Sequence, residues 1–245
     1  MGNYLITGAN SEIGKSLAVY LKQQGHNLLL VSRSKIDSSI TENTSWIDGI
    51  DLTKEENLNT LADKVSETFH GPFIFVHSVG DFWEHKSITD STLEEAKSMI
   101  LSHYLTLYGT IRVLAPIMRK VGGGRIIAFS CNSVKYNYPD MAAFTSSKAA
   151  VECLIRCVAN EQSQYKITAN AFALPSIATE HVKRTKPEEY WNSYVTVDEL
   201  VETVEKTIEN LSPYVNGTTI NLFKYSRSFY HASYYERNKI WEAKK

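Results

Sequence analysis

Short apolar runs alternate with stretches of helical period along the chain. Tyr4, Leu5 and Ile6 form the first run, after which Ile13, Leu17 and Leu21 recur at helical spacing toward Gly25. Further apolar runs follow at 28–31, 73–76, 125–130, 167–173 and 218–222, and 46–53 gives a short third strand followed by an acidic turn and an N-cap-like Thr53. Helical stretches are predicted at 55–69, 92–120, 142–160 and 197–211. Unbroken apolar strands are those of a parallel sheet buried on both faces, and strand-helix alternation wraps such a sheet with helices on each side. The fold class is therefore α/β, a doubly wound parallel sheet of Rossmann type in a single domain over residues 1–224.

Three stretches fall outside the alternation. Residues 131–140 read as a polar loop carrying Tyr136 and Tyr138, and 176–196 as a flap or lid over the strand ends. Residues 225–245 form a tail with Phe229, Tyr230, Tyr234, Tyr235 and Trp241, an aromatic content that predicts docking on a second subunit or across a site mouth.

Composition narrows the partners. In 245 residues, 26 Lys and Arg stand against 27 Asp and Glu, so no basic field marks nucleic acid or an anionic membrane as a partner. Any anionic ligand has to be held locally. Cys131, Cys153 and Cys157 lack metal-ligand spacing and read as reduced thiols; no metal site is expected. The chain opens directly into a strand and has no long apolar span, so a cytoplasmic address is expected.

The candidate chemistry begins between the first strand and helix. Gly8, Ala9, Asn10, Ser11, Glu12, Ile13 and Gly14 form a loop whose glycines let a pyrophosphate approach bare backbone, with a helix N-terminus behind it. Such turns also occur as plain packing turns, and Glu12 places a carboxylate where the dinucleotide fingerprint has glycine. Arg33 follows the second strand, where an arginine accepts a ribose 2′-phosphate; it favours NADP(H) over NAD(H), the alternative being a solvated loop cation.

The order of landmarks resembles the short-chain dehydrogenase/reductase family in its classical form, over nearly the whole chain. Thr7-Gly8-x-x-x-Glu12-x-Gly14 stands at that family's glycine turn, Asp51-Leu52-Thr53 at its acidic turn beside adenine, and His77-Ser78-Val79-Gly80 at its Asn-Asn-Ala-Gly strand end. Phe144-Thr145-Ser146-Ser147-Lys148 matches its Tyr-x-x-Ser-Lys segment, and 170–179, with Pro175, Ile177 and Thr179, is similar to the stretch flanking nicotinamide. The resemblance implies a nicotinamide cofactor bound by these residues and by Lys148, a small-molecule substrate, and a homo-oligomer, dimer or tetramer, or pairing with a second subunit of the same family.

The resemblance also implies a catalytic set of Tyr, Lys, Ser and Asn, and only Lys148 matches. The Tyr position is Phe144, which has no proton to give; the Ser position is Cys131, beside Ser130; the Asn position is His103. Two functions are left open. One is an oxidoreductase with a non-standard proton relay through His103, Cys131, Tyr136 or Tyr138. The other is a cofactor-binding pseudoenzyme acting as a partner subunit or scaffold. His103 has a structural alternative as a buried, satisfied core histidine, and Cys131 one as a small packing residue.

Overall fold

The computed structural model describes residues 2–83 and 85–222. In chain order the elements are β1 (Asn3–Thr7), α1 (Glu12–Gln23), β2 (Asn27–Val31), α2 (Ser38–Thr41), β3 (Ser45–Ile47), α3 (Glu55–Thr68), β4 (Phe73–His77) and α4 (Leu93–Met99). A π-helical turn (Ile100–Leu105) leads into α5 (Thr106–Lys120), then β5 (Gly124–Cys131), α6 (Ser133–Tyr136), α7 (Ala142–Gln162) and β6 (Ile167–Leu174). The short helices α8 (Glu180–Thr185) and α9 (Glu188–Trp191) precede α10 (Val197–Asn210) and β7 (Thr219–Asn221).

The strands form one parallel sheet in the order β3-β2-β1-β4-β5-β6-β7. Successive residues of each strand face opposite sides. Leu5, Phe75 and Ile126 join the core under α3, α5 and α7, while Ile6, Val76 and Ile127 join the core under α1 and α10. That double burial is why the strands are apolar without interruption. The strand order reverses between β1 and β4, and in open sheets of this kind ligands bind outside the carboxyl ends of the strands at that reversal.

The short third strand is Ser45–Ile47, and Gly49, with a left-handed φ of 74°, opens the acidic turn after it. Local structure departs from the pattern in three places. The helix at 92–120 contains the π turn, which inserts extra backbone beside His103. Residues 131–140 include one turn of helix, α6, and the lid carries α8 and α9, so neither is a plain loop. The expected docking tail, 225–245, lies outside the described residues.

Candidate active site

The glycine loop is built by backbone packing. Gly8 has φ 76°, and a Cβ there would meet the Ser78 carbonyl at 2.8 Å; one on Gly14 would meet the Gly8 oxygen at 2.3 Å. Both positions therefore require glycine. The Ser78 hydroxyl donates to the Thr7 oxygen at 3.0 Å, tying the β4 end to the loop. Ser11 caps α1, its Oγ accepting the Gly14 N–H at 3.0 Å. The N–H groups of Glu12 and Ile13 in the first turn have no acceptor among the described residues. A bare cradle ending in unpaired donors fits a pyrophosphate.

The flanks of this cradle carry the adenosine-side candidates. Asn10 donates to the Lys35 oxygen at 2.6 Å and accepts the Asp37 N–H at 3.3 Å, fixing the loop to the segment after β2. Arg33 in that segment is exposed. Burial works to raise the Asp51 carboxyl, yet bonds from the Thr53 N–H at 3.0 Å and hydroxyl at 2.7 Å, with the charges of Lys54 and Arg33, hold it below its ordinary value. Leu52 is buried in the core beneath the turn, and Val79 packs against that same core.

A second constellation lies past β4. His103, from the π turn, sits against Gly80: a Cβ on Gly80 would meet the imidazole Cδ2 at 2.6 Å, and Lys148 Nζ at 3.5 Å. His103 Nδ1 is 2.7 Å from Ser147 Oγ and its Nε2 is 3.1 Å from the Asp81 oxygen. Burial first, and the Lys148 charge second, push its pKa down to about 3. His103 is thus a neutral, doubly bonded ring, 1% exposed. In this arrangement it holds its neighbours and has no free edge toward a substrate.

Lys148 is buried, with Nζ donating to the Phe129 oxygen at 3.0 Å and lying 5.8 Å from the Phe144 ring centre. Burial lowers its pKa to about 8, against the opposing pull of Cys131. Cys131 is half-buried, its Sγ accepting the Ser133 N–H at 3.4 Å. Ser130 faces the other way, donating to Glu152 Oε1 at 2.6 Å inside the sheet-α7 layer. The Phe144 ring meets His103 edge-on at 5.2 Å and packs beside Tyr138 against Trp83, Met99 and Met141. Tyr136 stacks on Tyr138 and is exposed.

The lid completes the outline. Ala178 donates to the Val195 oxygen at 2.8 Å and Val195 to the Ser176 oxygen at 3.1 Å, so Pro175, Ile177 and Thr179 leave β6 along a braced path. The Thr179 hydroxyl caps α8, accepting the Val182 N–H at 3.3 Å. Two contacts went unread in the pattern: Ser147 with His103, and Glu152 with Ser130. Glu152 did leave a signal, since a carboxylate one turn after Lys148 falls on the buried stripe of α7 with Val151 and Ile155.

The family model for short chain dehydrogenase matches residues 3–190. The chain belongs to the short-chain dehydrogenase family. Among its curated relatives in this family, NADPH-dependent aldehyde reductase 2 of Arabidopsis thaliana, a chloroplastic protein, is 26% identical over 72% of this chain and 72% of its own. D-beta-hydroxybutyrate dehydrogenase of Rhizobium meliloti is 25% identical over 82% of this chain and 81% of its own. Among solved structures, a tyrosine-to-phenylalanine variant of ElxO with NADPH bound superposes with a TM-score of 0.81 at 22% identity, covering 90% of this chain and 96% of that one. No helix among the described residues is long and apolar enough to cross a membrane.

Proposed function

We propose that this short-chain dehydrogenase is an NADP(H)-dependent oxidoreductase acting on a small carbonyl or alcohol substrate, with Lys148 in place of a tyrosine as its proton-handling group. The observation that carries the reading is the Lys148 ammonium, buried between the Phe129 oxygen and the Phe144 ring with its pKa lowered to about 8. A general acid is most effective when its pKa lies near the working pH. Gly8, Gly14 and the first-turn donors of α1 would hold the pyrophosphate, and Arg33 a 2′-phosphate.

When bound, the nicotinamide supplies or accepts hydride. Lys148 gives a proton to the substrate oxygen in reduction and takes it back in oxidation, while its charge stabilises oxyanion character on that oxygen. The Cys131 thiol offers a weak donor at the same corner. His103 acts as a positioning residue: its bonds to Ser147 and the Asp81 oxygen fix the backbone on either side of Lys148 and Gly80. Relatives support the cofactor and reaction class, one being an NADPH-dependent aldehyde reductase and one structural neighbour having been solved with NADP bound.

A second reading is favoured by Phe144. A phenyl ring sealed against a neutral His103 offers no proton, as expected of a nucleotide-binding partner subunit without turnover. Leu101, Leu105 and Tyr108, exposed along one helical stripe, support a homo-oligomer or a subunit pair, and the free thiols of Cys131, Cys153 and Cys157 support a reducing, cytoplasmic setting. The experiment is NADPH consumption against a panel of small aldehydes and ketones by wild type and Lys148→Met. Turnover lost in the variant with NADPH affinity kept supports the enzyme; no wild-type turnover with any carbonyl favours the partner subunit.

A further inference from the structure

Glu12 reaches 168 residues along the chain to bond the lid. Its Oε1 and Oε2 accept the same N–H, that of Glu180, at 3.0 and 2.9 Å. Glu180 opens α8, so the glycine loop grips the lid at its entry point. An acidic residue in the first turn of α1 favours that helix's dipole wherever it points. The dipole does not explain why both oxygens turn onto a backbone donor of another element.

The charges around the contact act in the same direction. Lys183 on α8 pairs with Glu180 at 2.8 Å, and its pKa is raised by that bond first, with Glu12 and Asp198 adding to the effect. The next residue of α8, His181, lies against Phe82 with ring centres 4.8 Å apart. The start of α8 is therefore held at two neighbouring residues: by Glu12 of the glycine loop and by Phe82 past the β4 end.

We propose that Glu12 is a positioning residue that latches the lid onto the glycine loop, and that an arriving dinucleotide has to displace it. The inference rests on the nucleotide reading of that loop given above. A pyrophosphate seated on the α1 donors brings negative charge beside the Glu12 carboxylate, and like charges at contact distance repel. The bond to Glu180 and the occupied loop thus oppose one another, and by linkage whatever weakens the first strengthens the second. Glu12 sets how fast and how tightly nucleotide enters, where the usual glycine would leave the loop open.

The test compares wild type, Glu12→Gly and Glu12→Gln, each checked for folding by its thermal melt. Two quantities are read: hydrogen exchange at the Glu180 amide without nucleotide, and the rate and affinity of NADPH binding by nicotinamide fluorescence. The expected result is faster Glu180 exchange in Glu12→Gly, with NADPH associating about tenfold faster and binding about tenfold tighter, and Glu12→Gln intermediate. Unchanged Glu180 exchange in Glu12→Gly would overturn the latch. Faster exchange with unaltered or weaker NADPH binding would overturn the opposition between lid and nucleotide. If neither wild type nor Glu12→Gly binds NADPH or NADH, the nucleotide reading falls and the coupling falls with it, while the exchange data still report the latch by itself.

Discussion

Phe144 and Lys148 stand one helical turn apart on α7, with Lys148 Nζ 5.8 Å from the centre of the phenyl ring. The side chain one turn before the ammonium is a phenyl ring and not a phenol. The ammonium is a buried cation whose neighbours among the described residues include a backbone carbonyl, the Phe144 ring and the Cys131 thiol.

That environment ties activity to pH. Burial lowers Lys148 to about 8, so its proton-donating form predominates below that pH and is lost above it. The rate of carbonyl reduction is expected to fall through a single limb centred near pH 8. A profile of kcat against pH flat across this range in wild type would remove Lys148 from the proton step. Phe144→Tyr places a phenol beside the ammonium and is expected to raise turnover, measured as NADPH consumption.

The same burial predicts a gain in stability when Lys148 is removed. A folded pKa below the unfolded value, about 10.4, means the charge destabilises the fold most at pH below 8, the cost fading as pH rises from 8 toward the unfolded value. Lys148→Met is expected to be more stable at pH 7 by about 1–3 kcal/mol and to lack that rise in stability at alkaline pH. Urea unfolding at pH 7 and pH 10 measures both.

Acid should destabilise the protein through two histidines. His77 bonds Thr7 Oγ1 at 2.8 Å and Thr106 Oγ1 at 3.2 Å, and burial lowers both it and His103 to about 3. The unfolded chain takes up these protons near pH 6.5, whereas the fold resists them until near pH 3. Their stabilising contribution is therefore whole above pH 6.5 and declines as pH falls, by roughly 3 kcal/mol for each residue at pH 4. His103→Gln, scanned by denaturant between pH 7 and pH 4, should show a shallower decline than wild type.

Gly14 tests the cradle. A methyl there collides with the Gly8 oxygen at 2.3 Å, so Gly14→Ala is expected to cost about 1–3 kcal/mol and to abolish nucleotide binding. A variant of unchanged stability that binds NADPH normally would show the loop to be looser than its packing implies.

The doubly wound sheet was legible because strands buried on both faces leave continuous apolar runs, and β1, β2, β4, β5 and β6 all did so. The edge strand β3 left only a short one, closed by the acidic turn at Gly49 that the sequence also spells out. The π turn at Ile100–Leu105 keeps the apolar spacing of an α-helix and so left no sign of itself, although it sets the backbone around His103. At the site, positions were readable and orientations were not. Ser130 turns to Glu152, His103 spends both ring nitrogens on Ser147 and the Asp81 oxygen, and Glu12 leaves its own loop for Glu180. Each of these pairings spans more than 20 residues, beyond what periodicity encodes.

The most direct measurement is a side-by-side titration of the protein and of Arg33→Ala with NADPH and NADH, followed by nicotinamide fluorescence. Wild type is expected to prefer NADPH, and Arg33→Ala to weaken NADPH by about tenfold while leaving NADH unchanged. Binding of neither nucleotide by wild type would contradict the central claim that the Gly8–Gly14 cradle is a dinucleotide site.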